Sequence, residues 1–418
     1  MSSAVMEQTA IDINPLSSGM QHEKAIPVFI RLVFLRIGEI DTLNEKYQAH
    51  ASIESRWAVA SNELLSILSV DDQNRLMNGK TIILEKYSDS HWHPQLFIEN
   101  SLGDLKEQIK YSAKRNTHDN HIYVCEHRII KGLFWEKLEL HHFPNDVQDL
   151  SISVTSMLYQ DKVMLHPDPY NLSGVNREAF VDQQEWSLYE HVDAEERFVK
   201  DFLFLTDAND DDEQQMKYQM NKEEPKRSTL TVTCHAARQS EYFYWNGYFL
   251  ILLITSVSFC TFGMPMQVAI NRLQVSCTLL LTSITFRWTV NRSLPTVSYL
   301  TSLDKYAIIC ISNLVLHSFW HAIISLLAWT RTPDYRVTSD MSLAYLDHGA
   351  FYVLIGLFIF LHVFIVTWFF CVPMRHRKKM EEKDVTYRAL VTEMFNKKNN
   401  LSSKQNNNGY ISSEVERV

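Results

Sequence analysis

The sequence predicts an α+β membrane protein, with a β-sandwich in its first half and a four-helix transmembrane bundle in its second. Two observations carry this. The 418 residues are 46% hydrophobic, yet the apolar residues crowd into the second half, so a soluble domain precedes a membrane-embedded one. The first half shows short β-forming runs broken by Asn, Asp, Gly and Pro, the pattern of a sandwich rather than of alternating strands and helices.

From the N-terminus, residues 1–25 form a leading segment, and Met1 to Glu23 lacks the apolar core behind a basic start that marks a secretory leader. A sandwich domain is expected over residues 26–238. Its β-rich runs are Pro27 to Leu35, Lys80 to Glu85, His121 to Ile130, Leu150 to Thr155 and Thr229 to Cys234, while Glu63 to Leu76 reads as helical. A domain of about 210 residues buries a full core without disulfide staples. Of the six cysteines, four fall in predicted membrane helices, and only Cys125 and Cys234 share the soluble domain. The membrane domain, residues 239–372, holds candidate spans at 243–263, 268–290, 306–329 and 349–372, each near the roughly twenty residues that cross a bilayer. The first, third and fourth are apolar nearly all round, as lipid-facing helices should be. In the tail, residues 373–418, Glu381 to Asn396 can continue as helix, and the Asn- and Ser-rich end from Asn399 is expected to be disordered.

The second span differs from the others. Every third or fourth residue, Gln274, Thr278, Leu281, Thr285, Trp288 and Arg292, falls on one helix face, while Val275, Leu279, Leu280, Ile284 and Val290 are apolar. Hydroxyls, an amide and a guanidinium are unfavourable in hydrocarbon unless they face water or protein. The stripe therefore reads as a pore lining, or else as a polar helix packed inside its own bundle. A pore lined by one helix per subunit requires several copies around a symmetry axis.

Four blocks carry a family resemblance. Leu294-Pro295-Thr296-Val297-Ser298-Tyr299 with Asp304 resembles the link between the second and third membrane helices of the pentameric ligand-gated ion channels, the Cys-loop receptors. His142-Phe143-Pro144-Asn145-Asp146-Val147-Gln148 is similar to that family's signature loop, and Trp92-His93-Pro94 with Asn100 to its W-x-P...N segment. Ile40-Asp41-Thr42-Leu43-Asn44 resembles its first inter-strand turn. The blocks occur in the family's order, over roughly residues 26 to 372. The two cysteines that name the family fall at Glu136 and Leu150, so the sequence resembles members that lack the loop's disulfide.

The resemblance implies a multi-pass plasma-membrane protein with an extracellular sandwich, assembled as a homopentamer, and a ligand-gated ion channel subunit rather than an enzyme. The alternative is a non-conducting or obligate hetero-oligomeric subunit of the same fold. The stripe then lines the pore, with Leu281, its one aliphatic residue, as the gate, because a ring of leucines dewets a narrow channel. Coupling between ligand and gate falls to Asp41, Leu43, Phe143, Pro144, Asp146, Gln148, Arg238 and Pro295, with Arg238 pairing to Asp41 or Asp146. The ligand positions correspond to Ser52, Glu99 and Met157, with Tyr159 nearby and Tyr218 in the capping segment. The aromatic cage that attracts amines is largely missing, which leaves an amino acid, another small polar ligand, protons or no ligand. Arg272, Arg287 and Arg292, with no Asp or Glu between Tyr242 and Leu303, lean toward anions. The family topology places the tail outside, although Arg375, Arg377, Lys378 and Lys379 favour the inside. Asn171-Leu172-Ser173 is a glycosylation sequon on an outer loop.

Other chemistries lack their motifs. There is no G-x-S-x-G, H-E-x-x-H or P-loop. Asp207, Asn209 and Asp211 alternate as in a calcium loop, but Asp212 stands where glycine is needed and Tyr218 where the bidentate glutamate belongs. The pairs His141–His142 and His317–His321 lack a completing Cys or carboxylate. No metal, cofactor or nucleic-acid partner is expected; the partners are membrane lipid and a small-molecule agonist.

Overall fold

The structure, a computed structural model, describes residues 25–66, 68–116, 121–200, 226–292, 294, 297–331 and 341–415. Eleven strands among them form two sheets. The larger has the order β3 (Ile82–Leu84), β5 (Ser101–Arg115), β6 (Ile122–Trp135), β2 (Lys46–Val59), β1 (Ile26–Asp41), β8 (Val163–Pro167), with β9 (Gly174–Val175) also on β1. The smaller runs β10 (Trp186–Lys200), β11 (Lys226–Arg238), β7 (Val147–Tyr159), β4 (Leu96–Ile98).

Alternation sets which face is inside. Val28, Ile30, Leu32 and Phe34 of β1, and Tyr47, Ala49, Ala51, Ile53 and Trp57 of β2, point into one core. Leu150, Ile152 and Val154 of β7 and Leu230, Val232, Cys234 and Ala236 of β11 meet them from the other sheet. Asn100 fastens the layers: its amide donates to the carbonyls of Trp135 and Ser151, and its oxygen accepts from the Ser153 N–H. Three of the five β-rich runs fall within strands, His121 to Ile130 begins one residue before β6, and Lys80 to Glu85 contains the three-residue β3. Three strands beyond them, β2, β5 and β10, carry so many charged or small residues that their pairing partners, rather than their own composition, make them strands. The expected helix at Glu63 to Leu76 is two short helices, Ser61–Leu65 and Val70–Met77. The Ser69 hydroxyl caps the second by accepting from the Asp72 N–H at 3.2 Å. Cys125 and Cys234 sit in opposite sheets, and both are free thiols.

The long helices that follow are labelled α1 to α5. They are α1 (Glu241–Gly263), α2 (Ala269–Asn291), α3 (Ser302–Arg331), α4 (Met341–Cys371) and α5 (Pro373–Val415). Among the described residues three helical stretches are long and apolar enough to cross a membrane, Glu241–Gly263, Ser302–Thr330 and Ser342–Lys397. The 23-residue α2 is long enough, but its hydroxyls, amide and guanidinia lower its apolarity.

Helix α5 runs from Pro373 to Val415. Its first turns lie against the sandwich: Arg377 donates to the Arg238 carbonyl, Asp384 accepts from the backbone N–H groups of Glu190 and His191, and Tyr387 donates to the Ser173 carbonyl. The basic start of the tail therefore lies on the sandwich side of the bundle.

Candidate functional site

The junction between sandwich and bundle is built around Arg238, the last residue of β11. Its guanidinium donates from Nε to Asp146 Oδ1 at 3.0 Å and from Nη2 to Oδ2 at 3.3 Å, and its backbone N–H donates to the Asp146 carbonyl. Both side chains are at most 5% exposed. The cation also lies over the Trp186 ring, 4.1 Å from its centroid, and near Phe143 at 5.1 Å. Gln148 completes the nest: its amide donates to Asp146 and to the Glu139 carbonyl, while its oxygen accepts from the Glu139 N–H. With every partner supplied, a charge that is costly to bury becomes a rigid crosslink.

Of the two carboxylates expected to meet Arg238, Asp146 does and Asp41 does not. Asp41 accepts from Asn44 and lies 3.5 Å from Lys46, and the Asn44 side chain leads the effects that hold its carboxyl below the usual range. Leu43, beside it on the turn, is 53% exposed.

The loop after Glu139 is tied to the membrane helices on several sides. The rings of Phe143 and Phe243 meet edge to face at 4.6 Å, and the Tyr244 hydroxyl donates to Asn145 Oδ1 at 2.8 Å. Tyr299, on the link after α2, accepts from the Leu140 N–H through its hydroxyl and stacks on His141. Ser302 donates to the His141 carbonyl. Phe143 and Leu140 thereby join Ile251, Leu294, Leu303 and Tyr306 in one apolar cluster. Pro144 is buried within the loop, and Pro295 lies outside the described residues.

A carboxylate closes the loop at its base. Glu136 accepts from both the N–H and the hydroxyl of Ser151. Burial, against those hydrogen bonds, pushes its carboxyl above the ordinary value.

On α2 the stripe residues Gln274, Thr278, Leu281, Thr285, Trp288 and Arg292 are all exposed in the single chain. The helix's opposite side, with Arg272, Ser276 and Ser283, is buried against its own bundle. Thr278 and Thr285 donate to carbonyls one turn back, at 2.8 and 2.9 Å, so their polar hydrogens are satisfied within the helix. The charges differ from expectation. Arg272 is buried and paired with Asp347 at 2.9 Å, and Arg287 pairs with Asp304 at 3.2 Å. Of the three cations expected to make the passage positive, these two are neutralised, and Arg292 lies beside Trp288, 5.3 Å from its ring centroid.

Glu99, Met157 and Tyr159 all lie on the smaller sheet but are spread along β7, with Glu99 opposite Ser153, Met157 opposite Gln95 and Tyr159 two residues beyond. Glu99 approaches Arg197 at 3.7 Å and accepts from the Thr155 hydroxyl, and Arg227 stands over the Tyr159 ring at 5.6 Å. Arg197 and Arg227 were not singled out in the sequence, since nothing in their local pattern marks them. Ser52 lies half-buried on β2 of the other sheet and does not join this group within one chain; Tyr218 and the acidic stretch around Asp207 are outside the described residues. Asn171 is half-buried, its amide donating to Asp168 at 3.3 Å.

The chain thus joins a two-sheet sandwich to long apolar helices at a junction that holds a buried ion pair. No family model matches it. It is similar to the gamma-aminobutyric acid receptor subunit gamma-3 of Mus musculus, 22% identical over 308 residues that cover 72% of this chain and 57% of that protein. The Homo sapiens gamma-3 subunit is 22% identical over 282 residues, 66% of this chain and 52% of that protein. The chain thus spans little more than half the length of these relatives. This similarity to gamma-aminobutyric acid receptor subunits agrees with the resemblance to the Cys-loop receptors read from the sequence.

Proposed function

We propose that the chain is a subunit of a ligand-gated ion channel in which five copies, alone or with related subunits, surround the α2 stripe. The observation that carries this is the division of α2: its polar stripe faces away from the chain's own bundle while Arg272, Ser276 and Ser283 are buried within it. A polar helix packed inside its own bundle would show the reverse. Leu281 forms the gate, with Trp288 narrowing the passage. Agonist sits between neighbouring sandwiches, with Glu99, Met157, Tyr159 and Tyr218 on one subunit and Ser52 on the next. Glu99 and Arg197 offer one charge of each sign, complementary to a zwitterion such as the amino acid for which the relatives are named. Agonist binding reaches the gate through Asp146–Arg238 and the Phe143 loop. Arg292, and the lack of carboxylates from Tyr242 to Leu303, favour anions.

Recording from cells that express this chain alone, with Leu281→Thr beside the parent sequence, tests the reading. Spontaneous current in Leu281→Thr, reversing with chloride, is expected. Silence of both at confirmed surface expression would turn the assignment to an obligate hetero-oligomer or a non-conducting subunit.

A further inference from the structure

Away from the junction, β7, β10, β11 and α5 bring two histidines and three carboxylates together. A ring nitrogen of His191, a ring nitrogen of His235 and a carboxylate oxygen of Asp193 all lie within 4.8 Å of one another. The two imidazoles stack, with centroids 4.7 Å apart. Each is held by its Nδ1: His191 to Asp384 Oδ1 at 2.5 Å, and His235 to Asp149 Oδ1 at 2.7 Å. A carboxylate on one ring nitrogen fixes the tautomer and leaves the other nitrogen's lone pair for a metal, the arrangement that metal-ligating histidines show. His191 is only 3% exposed and its Nε2 has no hydrogen-bond partner, an unfavourable state for a buried polar atom. His235 Nε2 faces Asp193 Oδ2 at 3.3 Å.

We propose that His191 Nε2, His235 Nε2 and Asp193 form a binding site for a divalent transition-metal ion, with Asp384 and Asp149 orienting the two imidazoles and water completing the shell. Two imidazoles and one carboxylate suit zinc better than calcium or magnesium, which take oxygen ligands. The ammonium of Lys383 now sits 2.7 Å from Asp193 Oδ2, so it competes with the metal for that oxygen. Because Lys383 and Asp384 are neighbours on α5, occupancy bears on how the tail helix is held. The set is invisible in the sequence because His191 and His235 lie far apart in the chain and meet only through the pairing of β10 with β11.

The full chain, reconstituted in lipid nanodiscs and stripped with a chelator, is dialysed against buffered free Zn2+ and its metal content measured. One saturable ion per subunit is expected, with affinity about tenfold weaker in Asp193→Ala, a half-exposed position that the fold tolerates, and tighter in Lys383→Met. X-ray absorption should show nitrogen and oxygen ligands at about 2.0–2.1 Å. The proposal is overturned by the absence of saturable zinc in both the parent and Lys383→Met proteins. It is also overturned by uptake that Asp193→Ala leaves unchanged, or by sulfur at about 2.3 Å, which would assign the ion to the cysteines.

Discussion

Arg238 and Asp146 show how little freedom a buried ion pair has. Removing one partner leaves the other charged and dry, a loss of about 3–5 kcal/mol. Arg238→Ala is expected to reach the surface poorly, and the fraction that arrives to respond weakly to agonist; normal gating would remove the coupling role. Arg238→Lys keeps the charge but not the fork that spans both Asp146 oxygens, so an intermediate response is expected. Glu136 acts in the opposite sense. Its carboxyl is raised above 4.5 by burial, so the folded state disfavours its ionised form. Stability from this group is therefore greatest below pH 4.5 and falls as pH rises through the raised value. In Glu136→Gln that fall should disappear, and thermal unfolding followed from pH 4 to 8 would reveal it; an unaltered slope would assign the effect to another group.

At the scale of elements, α5 is the least expected feature. Asp384 takes two backbone N–H groups and a histidine from β10, and Arg388 is bound to Glu190 at 2.5 and 2.8 Å. Asp384→Ala leaves the buried donors of Glu190 and His191 unpaired, at about 1–3 kcal/mol in all. Faster amide exchange along β10 and α5 is the expected sign, and protection equal to the parent's would show that the helix is held elsewhere. The β-rich runs were legible because their inward residues alternate, as Val28, Ile30, Leu32 and Phe34 do. β10 was not legible, because its Glu195, Glu196 and Arg197 lie outward on a strand recruited by β11.

For the whole molecule, the two sides of α2 make different demands on solvent. If five copies enclose the stripe, a cysteine at Thr285 should react with a charged thiol reagent and block current, whereas one at Ser276 should be protected. Cys260, Cys277 and Cys371, which are exposed in the single chain, are first changed to serine. Equal reaction at both positions would argue that the stripe does not enclose water. The same division of α2 reversed part of the electrostatic expectation, since Arg272 and Arg287 found Asp347 and Asp304 on other helices.

The sequence by itself determined the order of domains, the stripe on α2 and the loop around Phe143, because each rests on local periodicity or on a short contiguous block. It also named Arg238, with Asp41 and Asp146 as its two candidate partners. Tertiary structure decided that Asp146 is the partner and Asp41 is not, that Glu136 closes the loop, and that His191, His235 and Asp384 meet. Those are encounters between segments far apart in the chain, and hydrogen bonds and ion pairs form only at short range. Which polar groups meet is therefore set by strand register and helix docking, which no local pattern records.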